Sequence, residues 1–168
     1  VYTLGEEPAS LASREHMQKV YASKQPYVTD SFVAGADGKT LNYTVIAPLL
    51  KDGVMTGSLF ATIVLDDISG LLNKITSTTK AEAVLISSKG LVMCSTNNLT
   101  YGTSILDILS NYKLLHTTAN QLEEQMLNKH FGSFQSYNGF GLTYTEYGPV
   151  ENSNWDILVT VNFWPVFL

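Results

Sequence analysis

The side chains best suited to binding a small molecule lie in one short segment, SREHMQKVYASKQPYVTDSF, residues 13–32. Arg14 offers a planar guanidinium that can hold a carboxylate through two charge-assisted hydrogen bonds, and His16 can add another donor. On a helix, Met17 and Tyr21 follow Arg14 by three and seven positions and share its face. The segment therefore predicts one wall of a pocket for a small anion with an apolar body.

Two aromatic residues downstream can complete such a pocket. Phe32 ends the extended segment that follows Pro26, and it can close an apolar wall. Tyr43, on the next predicted strand, reaches the same cavity if its side chain points inward.

The same residues also have a purely structural interpretation. Arg14 then pairs with Glu15 or Asp30 at the surface, His16 is solvated, and the aromatic rings belong to the core. Spacing alone favours this second interpretation, because isolated charged and aromatic residues are more often structural than functional.

No catalytic set is recognisable in the chain. The three histidines are scattered, no serine lies in a G-x-S-x-G turn, and no glycine-rich phosphate loop occurs. Adjacent acidic pairs such as Asp66 and Asp67 point in different directions and suit helix ends. We therefore expect a domain that is not an enzyme, with no cofactor and no metal.

The composition of the chain restricts the classes of partner that can be expected. The chain has 168 residues, 45% of them hydrophobic, which is enough for an ordinary core. Its formal net charge is -5 and no run of Lys or Arg occurs, so a nucleic-acid partner is not expected. Cys94 is the only cysteine, which excludes an internal disulfide but leaves the cellular compartment open.

Turn signals predict a chain dominated by antiparallel hairpins. Asp-Gly, Lys-Gly and Asn-Gly pairs occur in ADGK (36–39), KDGV (51–54), SKGL (88–91) and YNGF (137–140), with ENSN at 151–154. The strands predicted between them are 41–49, 54–65, 82–87, 91–95, 132–137, 140–147 and 155–163. Apolar periodicity predicts helices over 66–75 and, as one long helix, over 104–130.

The order of these elements favours an α+β fold of two small modules. The polar segment TSTTK (76–80) has no periodicity and separates two stretches of related order. We place the modules at residues 1–78 and 79–168. Each alone has a small core, so the two are expected to share an interface.

The second stretch resembles the membrane-proximal module of a double Cache domain, a PAS-like extracytoplasmic sensor of bacterial receptors. Its hairpin AEAVLISSKGLVMCST is followed by a helix, a Gly-aromatic strand, a Tyr-Pro-like strand and a closing strand led by Trp. The residues at those places are Gly90, Gly132, Tyr147, Pro149 and Trp155.

The first stretch is similar to the membrane-distal, ligand-binding module of that family. Arg14, Pro26, Asp30 and Phe32 fit its pattern without a gap, and LNYTVIAPLLKDGVMTGSLFATIVLDDISGLL resembles its strand, Pro, hairpin and Leu-Asp-Asp-Leu run. The resemblance extends from about residue 13 to the end, without the long N-terminal helix that the family carries.

The pocket residues depart from the family pattern. Members that bind amino acids resemble one another in a Trp and a Tyr after the Arg, and in a late Asp that holds the ligand ammonium. His16, Met17 and Thr62 stand at those three positions. Since Thr62 has no charge, the resemblance implies poor binding of amino acids and favours carboxylates or other small polar metabolites.

The resemblance implies an extracytoplasmic sensor that signals to a cytoplasmic output domain. The ligand-binding set it implies is Arg14, His16, Met17, Phe32, Tyr43 and Thr62. A GGDEF-type synthase, a histidine kinase or a chemotaxis receptor would supply the output, with membrane helices outside this chain and a homodimer in the full receptor. The alternative is a ligand-free Cache module that acts in dimerisation or protein contact.

The apolar end VNFWPVFL has two interpretations. It is either the start of a membrane helix or a last β-strand with a hydrophobic end.

Overall fold

A computed structural model describes residues 11–34, 37–137 and 141–163 of the chain. It has an α+β fold with four helices and ten strands in the described part. The helices are α1 Glu15–Ser23, α2 Leu65–Ser77, α3 Ile105–Ser110 and α4 Ala119–Leu127. The strands are β1 Tyr27–Val28, β2 Phe32–Val33, β3 Leu41–Lys51, β4 Val54–Val64, β5 Glu82–Ile86, β6 Val92–Ser95, β7 Lys113–Leu115, β8 Gly132–Tyr137, β9 Leu142–Pro149 and β10 Asp156–Phe163.

The strands form two antiparallel sheets. In the first, β3 pairs with β4 along its length and with the short strands β1 and β2 on its other side. The second has the order β6-β5-β10-β9-β8-β7. The first sheet uses strands before residue 65 and the second uses strands after residue 81.

Tight turns lie where the sequence predicts them. Asp52 and Gly53 both have positive φ in the turn between β3 and β4, and Gly90 has φ 71° between β5 and β6. These angles suit Asp and Gly because other side chains are strained there. The Asn-Gly pair at 138–139 and the last five residues lie outside the described residues, so their predictions stay open.

The prediction of a single long helix over 104–130 is wrong. The chain forms α3, the short strand β7 and α4 instead. The break is local: His116 has φ 62°, and Thr118 begins α4 with a capping box to Gln121. Apolar periodicity continued across the break because both helices pack on the same core cluster.

Side-chain alternation gives the first sheet two different faces. Ile46 packs beneath α1 against Met17 and Val20. Tyr43 points the other way and makes an edge-to-face contact with Trp155 of the second half, with 5.1 Å between ring centroids. That second face joins a core cluster that includes Leu65, Leu72, Leu85, Met93 and Cys94.

The two halves repeat one structural detail. Lys24 follows α1 with φ 55°, and its Nζ donates to the carbonyl oxygen of Gly53 in the turn of the β3–β4 hairpin. Lys129 follows α4 with φ 61°, and its Nζ donates to the carbonyl oxygen of Asn154 between β9 and β10. In each half a helix therefore ends on a lysine that holds the turn between the last two strands.

Lys129 has a second partner in Asp156, which is 0% exposed. Its Oδ2 accepts from Lys129, whereas its Oδ1 has no hydrogen-bond partner among the described residues. Burial raises the pKa of this carboxyl above its ordinary value, although the hydrogen bond to Lys129 opposes the shift. The contact with Lys129 therefore does not fully offset the cost of burying this carboxylate.

Replacing Gly132 by alanine should destabilise the second sheet by about 2 kcal/mol. A Cβ atom there would lie 2.3 Å from Oη of Tyr147, a buried ring whose hydroxyl donates to Gln125. Urea unfolding measures the change. Gly70→Ala is the matched control, since nothing lies within 4 Å of its Cβ, and inside α2 it should stabilise by about 0.5–1 kcal/mol. Equal effects of the two substitutions would contradict the steric argument.

The stability of the protein relative to its Asp156→Asn variant should fall as the pH rises above about 4. A raised pKa in the folded state favours the protonated carboxyl, so its contribution is complete at low pH and is lost through the folded pKa. Unfolding of both proteins between about pH 3 and 7 measures this difference. A difference that increases with pH would show instead that the ion pair with Lys129 dominates.

Candidate functional site

Helix α1 covers one face of the first sheet and leaves a cleft at its side. Arg14 is the N-cap residue, with extended φ and ψ and no side-chain capping bond. Met17 and Val20 are buried on Ile46, which fixes the rotation of the helix. His16, one position before Met17, is half-buried and faces the cleft.

The cleft holds a cavity of about 170 Å³ between α1, β1 and the turn that joins β5 to β6. Its walls therefore come from both halves of the chain. The lining residues are Glu15, His16, Lys19, Tyr27, Thr29, Asp30, Ser88 and Lys89.

Both acidic groups in the cleft have partners. Glu15 pairs with Lys19 at 2.9 Å, and this contact lowers the pKa of Glu15 and raises the pKa of Lys19. Asp30 accepts from the backbone N–H of Ser88 at 2.9 Å and from its hydroxyl at 2.5 Å. In the described ranges the ammonium of Lys89 has no ion pair or hydrogen bond, although its charge also acts on Glu15 and lowers the pKa of that carboxyl.

The surroundings of His16 favour the neutral form of its imidazole. Burial lowers its pKa below the ordinary value, and the charge of Arg14 lowers it further. A neutral ring offers the cleft one donor and one acceptor. It also becomes easier to protonate when an anion enters.

Of the residues predicted from sequence, His16 is the one that lines the cavity. Arg14 is exposed at its rim and makes no ion pair with any described residue. The partners considered for it, Glu15 and Asp30, are bound to Lys19 and Ser88. Met17 is only 5% exposed and belongs to the core beneath α1.

Phe32, Tyr43 and Thr62 lie away from this cavity. Phe32 and Thr62 are exposed on the α1 side of the first sheet, where the hydroxyl of Thr62 lies 3.2 Å from that of Thr44. Tyr43 points from the opposite face toward Trp155. The structure therefore does not bring the six predicted side chains into one cluster.

Several lining residues were not singled out from the sequence. Lys89 and Ser88 were identified only as part of the SKGL turn, and Lys19 and Tyr27 only as parts of a helix and a strand. Their approach depends on the packing of two sheets, with 58 positions separating Asp30 from Ser88. No local pattern predicts a contact of that range.

Residues 29–31 connect the cleft to the second half. Thr29 accepts from the backbone of Thr44 on β3, and Asp30 holds Ser88. The Ser31 and Tyr101 hydroxyls lie 3.3 Å apart. A neighbouring cavity of about 180 Å³ shares Asp30 and Lys89 with the first. The segment is therefore a direct link between the two sheets.

The described residues contain no group of three His, Cys, Asp or Glu side chains arranged to hold a metal ion.

In the parts of the chain with described structure, no helix is long and apolar enough to cross a membrane.

Solved structures of sensory domains have the same fold. The extracellular domain of a candidate histidine kinase, mmHK1S-Z3, matches 89% of this chain and 54% of its own with a TM-score of 0.66 and 15% identity. The periplasmic sensory domain of the Campylobacter jejuni chemoreceptor Tlp1 matches 93% of this chain and 57% of its own, with a TM-score of 0.64 and 18% identity. The ligand-binding domain of the Pseudomonas aeruginosa amino acid chemoreceptor PctC, solved with GABA, matches 95% of this chain and 66% of its own, with a TM-score of 0.60 and 13% identity.

The chain thus spans between about half and two thirds of the length of these structures. No protein-family model and no curated protein sequence matches it.

Replacing Asp30 by alanine should cost about 1.5 kcal/mol, because it removes two hydrogen bonds from a charged acceptor and leaves the Ser88 N–H without a partner. Thermal or urea unfolding measures the loss. Ser31→Ala is the control: its hydroxyl contact is longer and exposed, so the change should stay under about 0.5 kcal/mol. A loss of stability for Asp30→Ala no larger than that for Ser31→Ala would contradict the role of Asp30 as a link between the two sheets.

Proposed function

We propose that this chain, which has the fold of extracytoplasmic sensor domains, is the double Cache sensor region of a bacterial membrane receptor. Its membrane-distal module is residues 1–78 and its membrane-proximal module is residues 79–168. The repeated arrangement of Lys24 and Lys129 supports two modules of related plan. The chain is not the enzyme; an output domain, if catalytic, lies elsewhere in the receptor.

The ligand we propose is a small carboxylate bound in the cleft beside α1. The observation that carries this is the ammonium of Lys89, which lines the cavity without an ion pair or hydrogen bond among the described residues, whereas the oxygens of Glu15 and Asp30 are engaged by Lys19 and Ser88. His16 adds a neutral donor, and Arg14 at the rim adds a guanidinium. The cavity is smaller than the roughly 300–1,000 Å³ of drug-sized sites, which favours a metabolite of few heavy atoms.

An ammonium group on the ligand is expected to bind less favourably than a carboxylate group. PctC was solved with GABA, which carries both a carboxylate and an ammonium. In this chain Thr62 is uncharged, and both Asp30 oxygens already accept from Ser88. We therefore expect plain carboxylates to bind more tightly than amino acids of the same size.

Signal transmission would run through residues 29–31. A ligand in the cleft contacts Asp30 and Ser88 at once, so it favours whichever arrangement of the two sheets fits it. In chain order β10 is the last described strand of the second sheet, and movement of that strand would reach the membrane segments of the receptor. The output domain is a GGDEF-type synthase, a kinase or a chemotaxis module.

A ligand-free contact module is the competing function. The exposure of Arg14, Phe32 and Thr62 favours it, because among the described residues these family ligand positions do not line the cavity beside α1. In that case the chain would serve in dimerisation or protein contact and no small molecule would stabilise it.

A small carboxylate such as propionate or succinate should stabilise the protein, and Lys89→Ala should weaken that effect. At one hundred times its dissociation constant a ligand adds about 2.7 kcal/mol to the stability. Loss of one charge-assisted hydrogen bond should raise the dissociation constant about tenfold. Thermal shift screening gives the ligand, and calorimetric titration gives the constants.

The matched control is Lys113→Ala, which removes the same charge from an exposed position of β7. It should leave binding unchanged. Arg14→Ala tests the rim guanidinium in the same assay, and it should leave the melting temperature of the free protein nearly unchanged. No shift with propionate, succinate, GABA or leucine would favour the ligand-free module.

A further inference from the structure

A further cavity lies where the segment after α1 meets the turn between β9 and β10. It measures about 280 Å³, which is larger than the cleft beside α1. Residues 25–28 of the first half form one wall, and residues 152–154 of the second half form the other. Tyr27 also lines the cleft, so the two cavities adjoin at that residue.

The lining of this cavity is uncharged. Among the described residues no Lys, Arg, His, Asp or Glu lines it. The ammonium of Lys24 is bound to the carbonyl oxygen of Gly53, and that of Lys129 is bound to the carbonyl oxygen of Asn154. Glu151 is exposed and lies outside the lining. An ionic ligand would therefore leave water without gaining an ion pair, and a neutral ligand is favoured.

Both walls are fixed by hydrogen bonds of their own backbone. On one side β1 pairs with β3. On the other, the hydroxyl of Ser153 donates to the carbonyl oxygen of Val150 at 2.8 Å and accepts from the N–H of Trp155 at 3.1 Å. The N–H of Val150 donates to the carbonyl oxygen of Trp155 at 2.9 Å. Walls that are ordered before binding reduce the entropy lost when a ligand enters.

Three side-chain amides at the cavity are available to a ligand. Those of Gln25, Asn152 and Asn154 make no hydrogen bond to another described residue. Each amide has a carbonyl acceptor and two N–H donors. Hydroxyl groups also donate and accept, so amides and neighbouring hydroxyls complement each other without charge. Beside the amides, Pro26 and the ring of Tyr27 offer apolar surface for C–H groups.

We propose that this cavity binds a neutral sugar ring or a cyclic polyol of the same size. The amides of Gln25, Asn152 and Asn154 hold its hydroxyls, and its C–H face packs on Tyr27. The volume is just below the roughly 300–1,000 Å³ of drug-sized sites, which suits a single ring. The site is separate from the carboxylate cleft and does not rest on the function proposed for that cleft.

NMR titration of the 168-residue protein with glucose, galactose, ribose and myo-inositol tests this site. With at least one of these probes, the side-chain NH₂ signals of Gln25, Asn152 and Asn154 should shift and reach saturation. The signal of Asn73, exposed on α2, should not move. The acid and amine forms of the sugar that binds should bind about threefold or more weakly, because the cavity offers no countercharge.

Substitution of one amide on each wall gives an independent measurement. Asn154→Ala and Gln25→Ala should each raise the dissociation constant of that sugar about three- to tenfold, since each removes neutral hydrogen bonds. Asn154→Ala keeps the carbonyl oxygen that Lys129 binds, so the turn is retained. Asn73→Ala is the matched control and should have no effect. Lys89→Ala should also leave the constant unchanged, because Lys89 lines only the other cavities.

Three results would overturn the proposal. The first is the absence of any shift of the three amides with all four probes at about 50 mM. The second is tighter binding of the acid form at the same amides, which would make the site an anion site. The third is a loss of affinity for Lys89→Ala as large as that for Asn154→Ala, which would assign the sugar to the cleft.

Discussion

The contact between Tyr43 and Trp155 fixes how the two sheets lie together, and the cleft depends on it. These rings join one face of the first sheet to a buried cluster built from α2, β5 and β6. Aromatic rings of this size contribute large buried areas, and edge-to-face geometry adds to them. The indole Nε1 of Trp155 has no partner among the described residues, so this core tolerates one unsatisfied donor. With that face occupied, the cleft lies on the α1 side of the first sheet.

The sheet packing also decides which cations face the cleft. Residues 29–31 run along the junction, and Asp30 can reach Ser88 because the turn after β5 is held beside it. Lys89 follows Ser88 in that turn and enters the cleft from the second half. Lys19 on α1 and Lys89 in the turn between β5 and β6 therefore line the same cavity from different elements. The charges that face the cleft therefore depend on the relative position of the two sheets.

The sequence was informative where the structure depends on local geometry. Asp52, Gly53 and Gly90 have positive φ angles, and the hairpins they close were predicted from those residues. The helix over 104–130 failed because apolar spacing does not register a capping box such as that of Thr118. Tyr43 could not be assigned to a face from sequence, since strand parity depends on the register with β4. The position of Lys89 could not be predicted from the sequence for a similar reason, because its approach to α1 requires two sheets to pack.

The two halves share a plan but not the same depth of burial. In the described residues, the cluster beneath α1 contains three buried side chains, whereas the cluster beneath α3 and α4 contains eleven. Lys24 holds its turn from an exposed position, and Lys129 does so beside a buried carboxylate. Regions with few buried apolar contacts open at lower free energy, and binding elements are drawn from them. The described part of the half that contains α1 is therefore expected to open more easily than the second half, and the cleft lies at the boundary between them.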